Sequence, residues 1–423
     1  MIRKGGRKQF LDLFAGAGGL SEGFIQAGFS PLAHVEMDEA ACFTLQTRLA
    51  YHWLKSNNML NLYDDYLGRR ISRSDLYSHV PQSLISSVIC SEIGPETIKD
   101  IFEIVDQLLV DNQLDLIVGG PPCQAYSIAG RSRDKNGMQG DKRNYLYVYY
   151  AEFLEKYKPR YFVFENVLGL LSAKDIAGSL YLEEMKAVFR EAGYSVNLRV
   201  LSANEHGVPQ SRKRVILIGN RNGDRDFFPL PDKWIPDITV GEILADLPFI
   251  NAGEGTPGNQ ELGEHTVIYL AKSGIRNENG QTTLHVARPH NSRDLEIYRI
   301  AVKKWDQEQK RLIYDDLPPR LKTHKNHTSF TDRFKVVAGN LPTSHTIVAH
   351  IAKDGHYYIH PDIRQNRSIT PREAARIQTF PDDYYFEGKT EKISRTSAFR
   401  QIGNAVPVLL AKKIADKLLE TWE

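Results

Sequence analysis

The first feature with chemical potential in this chain is a thiol held rigidly at the end of an apolar run. Asp115-Leu116-Ile117-Val118-Gly119-Gly120-Pro121-Pro122-Cys123-Gln124 reads as a buried strand, two glycines, two prolines and a cysteine. Proline fixes its own φ and restricts the residue before it, so Cys123 is presented at a set place. A thiol so placed suits covalent catalysis rather than the packing role of most free cysteines. A second apolar run, Tyr161-Phe162-Val163-Phe164, ends in Glu165-Asn166-Val167. As a sheet neighbour it would bring Glu165 into the same crevice, where a partly desolvated carboxyl carries a proton near neutral pH. Gln210-Ser211-Arg212-Lys213-Arg214 enters a third run. Arg212 and Arg214, two apart, are expected on one face, as guanidinium forks for a phosphate or a base carbonyl oxygen. Cys42 and Cys90 are expected to be small buried side chains.

The N-terminal end offers a ligand cradle. Phe10-Leu11-Asp12-Leu13-Phe14-Ala15-Gly16-Ala17-Gly18-Gly19-Leu20 is a strand, a glycine-rich turn and the start of a helix. Glycines let the backbone approach a ligand at a helix N-terminus. The turn departs from the dinucleotide fingerprint, because Ser21 fills the third glycine slot. Glu36 ends the next strand, 18 residues past Gly18, where a carboxylate accepts hydrogen bonds from ribose hydroxyls. Phe14 stands where its ring could cover an adenine.

The elements that must position these groups alternate. Strands are expected at Gln9–Phe14, Pro31–Glu36, Leu114–Val118, Tyr161–Phe164, Tyr194–Leu201 and Val215–Gly219, with helices at Ser21–Gly28, Thr97–Val110 and Tyr145–Lys156. That alternation predicts βαβ units and a mainly parallel sheet. From Asn220 onward Pro, Gly, Asn, His and charged residues dominate with weak periodicity, which predicts a separate loop-rich lobe. Order returns at Thr370-Pro371-Arg372-Glu373, which reads as a capping box with proline at the first helical position. A last helix is expected at Val408–Trp422. The stretch Leu49–Ser91 fits no pattern.

Composition bounds the rest. The chain has 423 residues, 41% apolar and 25% charged, with 54 Lys plus Arg against 52 Asp plus Glu, so its net charge is only +2. Any nucleic-acid surface must therefore be local. Three cysteines exclude a disulfide scaffold and a CxxC metal site and fit a reducing compartment; no metal is expected. No apolar stretch is long enough to span a membrane.

Read together, these motifs resemble DNA cytosine-5 methyltransferases of the prokaryotic, restriction-modification type. The resemblance rests on Asp12–Gly19, Gly120–Gln124, Glu165–Val167, Gln210–Arg214, Arg367–Pro381 and Arg400-Gln401-Ile402-Gly403-Asn404-Ala405-Val406-Pro407, in the family's order. It implies an α/β fold: a Rossmann-like, S-adenosyl-methionine-dependent methyltransferase domain with a smaller loop-rich target-recognition domain. Residues 1–220 would be catalytic, 221–366 would recognise the target, and 367–423 would return to the catalytic domain. Ala15, Gly16, Gly18, Gly19, Leu20 and Pro122 would line the cofactor. Phe14 and Met37 would flank its adenine, Glu36 would hold the ribose, and Glu92-Ile93 would meet the adenine amino group. Leu146, Asn404 and Val406 would complete the pocket.

The implied reaction starts with a cytosine flipped out of duplex DNA, because a duplex hides C6. Cys123 adds to C6 while Glu165 supports protonation at N3. Methyl transfer to C5, loss of the C5 proton and expulsion of Cys123 then give 5-methylcytosine and S-adenosyl-homocysteine. Arg214 would hold the base oxygen and orient Glu165, Arg212 would hold a phosphate, and Asn166 would position the Glu165 loop. Gln124–Arg143, with Arg131, Arg133 and Arg143, reads as a basic loop closing over DNA. In the lobe, Lys322 and Lys325 are expected on phosphates, and Thr346, in the family's Thr-plus-aliphatic pair, beside the flipped base. A companion restriction endonuclease, a monomeric state and a cytoplasmic location follow from the same resemblance. The rivals are a tRNA cytosine-5 methyltransferase on this fold and a catalytically dead DNA-binding module.

Overall fold

The computed structural model describes residues 7–109, 113–122, 145–175, 177–221, 223, 227–264, 267–276, 280–324, 327–392 and 394–422. Its centre is a seven-stranded sheet. The strands are β1 (Gln9–Leu13), β2 (Ser30–Glu36), β3 (Val88–Cys90), β4 (Leu116–Gly119), β5 (Tyr161–Asn166), β6 (Ser195–Ser202) and β8 (Lys213–Asn220), in the order β3-β2-β1-β4-β5-β8-β6. The two-residue strand β7 (Gln210–Ser211) lies outside it and pairs with Ser344–His345. The pairings from β3 to β5 are parallel, whereas β8 runs antiparallel to both β5 and β6. Central strands such as Phe162-Val163-Phe164 are apolar on both faces because helices cover both faces. These helices are α1 (Gly19–Gln26), α2 (Glu39–Ser56), α6 (Ile98–Leu108), α7 (Leu146–Tyr157) and α8 (Tyr181–Glu191).

Strand order reverses direction at β1 and β4, which are neighbours. In a doubly wound sheet a ligand crevice opens beyond the carboxyl ends of strands at such a switch point. The glycine turn after β1 and the Gly-Gly-Pro-Pro run after β4 both start there. Because β8 is antiparallel to β5, the register Asn166↔Val215 sets Arg214 beside the carboxyl end of β5. This reversal, which the expectation of a mainly parallel sheet did not include, is what brings Arg214 to Glu165.

Residues 60–86 fold as three short helices, α3 (Leu60–Leu67), α4 (Arg73–Ser78) and α5 (Gln82–Ser86). Tyr63 and Leu76 from them share one core with Ile243 and Leu270 of the lobe and with Ile369 and Phe380 of the returning segment. A smaller core of the lobe's own gathers Ile297, Tyr298, Val302, Tyr314, Phe334 and Ile359. It is built on a 17-residue helix, Ser292–Glu308. Only Ile297, Tyr298, Ala301 and Val302 of that helix are buried, a narrow apolar stripe among charges that weakens its periodicity. The capping box at Thr370 forms as expected: Thr370 accepts from Glu373 N, and Glu373 accepts from Thr370 N. Among the described residues no helix is long and apolar enough to cross a membrane, and no cluster of His, Cys, Asp or Glu could hold a metal.

Candidate active site and cofactor cleft

The end of β4 is wedged between its neighbours, and glycine is what permits it. A Cβ on Gly119 (φ +154°) would lie 2.1 Å from Leu13 O, and one on Gly120 would lie 2.7 Å from both Glu165 O and Glu165 Oε2. Glu165 therefore sits directly over the backbone that leads into Pro121 and Pro122. Its Oε1 is 2.6 Å from Arg214 Nε, with both side chains mostly buried. The Nε–H is not aimed along this contact and has no hydrogen-bond partner, so the pair is an ion pair that leaves a buried donor for another acceptor. Asn166 is buried, donates to Pro121 O (3.4 Å) and accepts from Val167 N (2.9 Å), so it ties the end of β5 to the proline run. Cys123, Gln124, Arg131, Arg133, Arg143 and Lys325 lie outside the described residues.

Arg212 corrects the expectation that it would hold a phosphate. It is 1% exposed. Its Nη1 donates to Ile347 O (2.7 Å) and its Nη2 to Gly403 O (3.3 Å). Arg212 lies in the break between β7 and β8, where the alternation that would have paired it with Arg214 does not hold.

At the cofactor end the turn departs from ordinary backbone. Phe14 has φ +58°, an unusual value for a bulky residue and a mark of strain held at functional sites. Gly16 and Gly18 also have positive φ. A Cβ on Gly19 would meet Val406 O at 2.4 Å, so the returning C-terminal segment closes directly on the turn. Glu36 is fixed by backbone donors: Oε2 accepts from Gly16 N (2.8 Å), and Oε1 from Met37 N (2.9 Å) and Asp38 N (2.7 Å). Burial pushes its carboxyl above the ordinary value, and these donors pull it back. A carboxylate has about four acceptor positions, so one remains, on Oε2.

The other named residues divide. Met37 is 61% exposed and Asn404 is exposed, whereas Ala15, Leu20, Leu146 and Val406 are buried. Leu20 belongs to the core under α1. Glu92 is exposed and Ile93 buried, two and three residues past Cys90, which pairs with Glu36 across β2 and β3. Pro122 is half-buried at the last described position before Cys123. Cys42 is buried as expected; Cys90 is exposed, because it ends a short edge strand. Thr346 Oγ1 donates to Ser211 O. Lys322 Nζ donates to Asp315 O (2.5 Å).

The model of C-5 cytosine-specific DNA methylases matches residues 8–60 and 87–420. The chain belongs to that family. As a C-5 cytosine-specific DNA methylase it transfers a methyl group to C5 of cytosine in DNA. It is 41% identical to the type II methyltransferase M.Bpa9945I of Bacillus paralicheniformis, over 96% of this chain and 97% of the relative. It is 32% identical to the type II methyltransferase M.DdeI of Desulfomicrobium norvegicum, over 96% and 88%. A crystal structure from E. coli, described as a prophage-encoded DNA modification methyltransferase, shares the fold with a TM-score of 0.61 and 22% identity, over 98% of this chain and 99% of that one. The stretch left unmatched by the family model, 61–86, corresponds to helices α3–α5.

Several residues of this methylase that support the site were not picked out as site residues in the sequence. Ser21, the departure from the dinucleotide pattern, donates its hydroxyl to the buried Asp12 carboxyl and so pins α1 to β1. Burial lifts Asp12 to about 7. Tyr384 donates to Ala17 O behind the turn, a contact across most of the chain with no local signal. Asp38 caps α2 through Ala40 N (3.0 Å) and Ala41 N (3.3 Å), which the capping rule could have found. A polar cavity of about 300 Å³ lies elsewhere, between α1, α2, α3 and the segment 259–283. None of the sequence-named site residues lines it. Its Arg48 is matched with Glu22 and Asp383 in the lining, and its Arg276 with Asp246 outside it.

Proposed function

We propose that this methylase is the modification enzyme of a restriction-modification system, acting as a monomer on duplex DNA with S-adenosyl-methionine as methyl donor. The type II methyltransferase names of its relatives support that role. The observation that carries the mechanism is the Glu165–Arg214 ion pair seated on Gly120, three residues before Cys123.

Phe14, Gly16, Gly18, Glu36, Met37, Glu92, Asn404 and Val406 would hold the donor. The free position on Glu36 Oε2 fits a ribose hydroxyl, and exposed Met37 fits an adenine face. When bound, S-adenosyl-methionine supplies an electrophilic methyl group. Cys123 thiolate bonds to C6 of a flipped cytosine while Glu165 supports protonation of N3 by a proton drawn from solvent, and C5 becomes nucleophilic. Once C5 carries the methyl group its proton leaves to a base, the C6–S bond breaks, the N3 proton returns to solvent, and neutral 5-methylcytosine and the thiolate result. The unpartnered Arg214 Nε–H donates to the base O2. Residues 221–366 read the target sequence, with Lys322 on phosphate and Thr346 beside the base.

The test uses labelled S-adenosyl-methionine with duplex DNA or tRNA. Label enters the DNA, bisulfite sequencing of host DNA locates it, and restriction by the companion endonuclease is blocked at that sequence. Label in tRNA alone rejects the reading.

Glu36→Ala removes a charge-assisted acceptor, a loss of roughly 1.5–3 kcal/mol, so affinity for S-adenosyl-homocysteine falls about tenfold or more by calorimetry. Acidification acts the same way. Because the Glu36 pKa is raised, the ionised acceptor is lost, and affinity falls, at a higher pH than an ordinary glutamate would dictate. Unchanged affinity in the variant would remove Glu36 from the site.

A further inference from the structure

Two buried polar side chains, one on each side of the crevice, meet behind it. On one side, Gln210 Oε1 accepts from Ile347 N (2.9 Å), next to Thr346. On the other, Gln378 Nε2 donates to Ile402 O (2.7 Å) and Ala405 O (3.3 Å), on either side of Gly403 and Asn404. The two amides join head to tail, with Gln210 Nε2 donating to Gln378 Oε1 (3.0 Å). Both residues are 0% exposed. Beside them Arg212 spans the same gap, from Ile347 O to Gly403 O. The backbones touch here as well. A Cβ on Gly403 would come within 2.3 Å of Ala349 N, so glycine is required for this approach. The pairing of Ser344–His345 with β7 keeps the lobe's exit strand in register with Gln210 and Ser211.

Gln210 Nε2 also donates to Ile377 O (3.3 Å), so both amides are fully engaged, and polar groups this deep are costly unless they are paired. An apolar core would have filled the space equally well. A polar chain differs in that it fixes separation: its length is set by bonds that weaken steeply when stretched.

We propose that Gln378, with Gln210 and Arg212, is a positioning relay that sets the distance between the base-side segment Thr346–Ile347 and the cofactor-side turn Gly403–Asn404–Ala405, and thereby the gap that the methyl group crosses. This rests on the functional reading above, in which Thr346 lies beside the base and Asn404 beside the donor. None of the three touches a reacting atom. Their contribution is alignment, and a misplacement of about 1 Å costs on the order of a hundredfold in rate.

The chemistry separates alignment from general damage. Addition of Cys123 to C6, followed by protonation and deprotonation of C5, exchanges the C5 hydrogen with water and needs no methyl donor. The probe is genomic DNA carrying tritium at cytosine C5, with the full chain, with and without labelled S-adenosyl-methionine. Gln378→Met keeps the side-chain length, leaves the Gln210–Ile347 bond in place and cuts the amide link to the cofactor turn, with only Arg212 left across the gap. It is expected to slow methyl transfer by about 10–100-fold, while donor-free tritium release stays within about threefold of wild type. Arg212→Lys keeps the charge but replaces two nitrogens held in a rigid fork by a single ammonium on a flexible stem, and shows the same split to a lesser degree, which covers the case that Gln378→Met fails to fold. Loss of both activities in parallel, or retention of both, overturns the relay. A wild-type protein that releases no tritium and transfers no methyl group overturns the functional reading itself, and the relay with it.

Discussion

Duplex DNA with 5-fluorocytosine at the target forms a denaturation-resistant complex with the wild-type protein and none with Cys123→Ala. Fluorine cannot leave C5 as a proton, so the adduct formed by addition at C6 and methylation at C5 has no exit, and the C6–S bond persists. The residues that lead up to Cys123 motivate the expectation. Gly120 is pressed against Glu165, Pro121 O is held by Asn166, and Pro122 leaves the preceding backbone little freedom. Methyl transfer by the alanine variant on ordinary DNA falls by roughly 10⁴-fold or more, the scale on which loss of a covalent nucleophile acts in other enzymes. Gel mobility under denaturing conditions reads the first result and labelled-methyl incorporation the second. An adduct in the variant would transfer the role to another residue.

A comparable effect on stability is expected at Arg376, far from the chemistry. Its guanidinium is fully buried between Asp382, with Nε–Oδ1 and Nη2–Oδ2 both at 2.8 Å, and Asp246, and it also donates to Ile243 O (2.8 Å). The side chains of Arg376, Asp246 and Asp382 are all 0% exposed. Arg376→Met leaves Asp382 charged, buried and without its partner, at a cost of about 3–5 kcal/mol. The urea midpoint should fall accordingly. The double variant Arg376→Met, Asp382→Leu, which leaves Asp246 paired with Arg276, should recover much of that loss, because apolar packing often replaces a buried ion pair without penalty. A single variant as stable as wild type would mean that water reaches the cluster.

The strand-to-turn motifs were legible because each is local. Gly119-Gly120, the glycine turn and Glu165 announce themselves within ten residues or so, and they stand at the carboxyl ends of the strands as expected. What failed to show depends on separations the chain does not advertise. Arg212 and Arg214 look equivalent by spacing, yet one is sealed among carbonyls from Ile347 and Gly403 and the other faces Glu165. Arg367, Arg372 and Arg376 read as an ordinary charged helix start, yet all three are fully buried. The unassigned stretch after Leu49 hides three helices whose apolar positions make sense only against the lobe and the returning segment. Gln210 and Gln378 each fall in a motif of the family, but nothing in the sequence says that the two touch.

The closure of Val406 on Gly19 also has a temporal side. The helix Val408–Glu420 packs on α1, where Ala411 and Ile414 join Leu20 and Phe24 in one core. The two halves of that contact leave the ribosome nearly a whole chain apart, roughly 20–80 s at ordinary rates of synthesis. For that interval the nascent chain has its glycine turn but not the backbone that closes it, and an apolar helix face with nothing to cover it. A chain released before the last helix carries Cys123, Glu165 and Glu36 and still lacks the segment that packs on α1. The glycine turn is thus completed late in synthesis, and until then the apolar face of α1 that Ala411 and Ile414 cover is open to other partners.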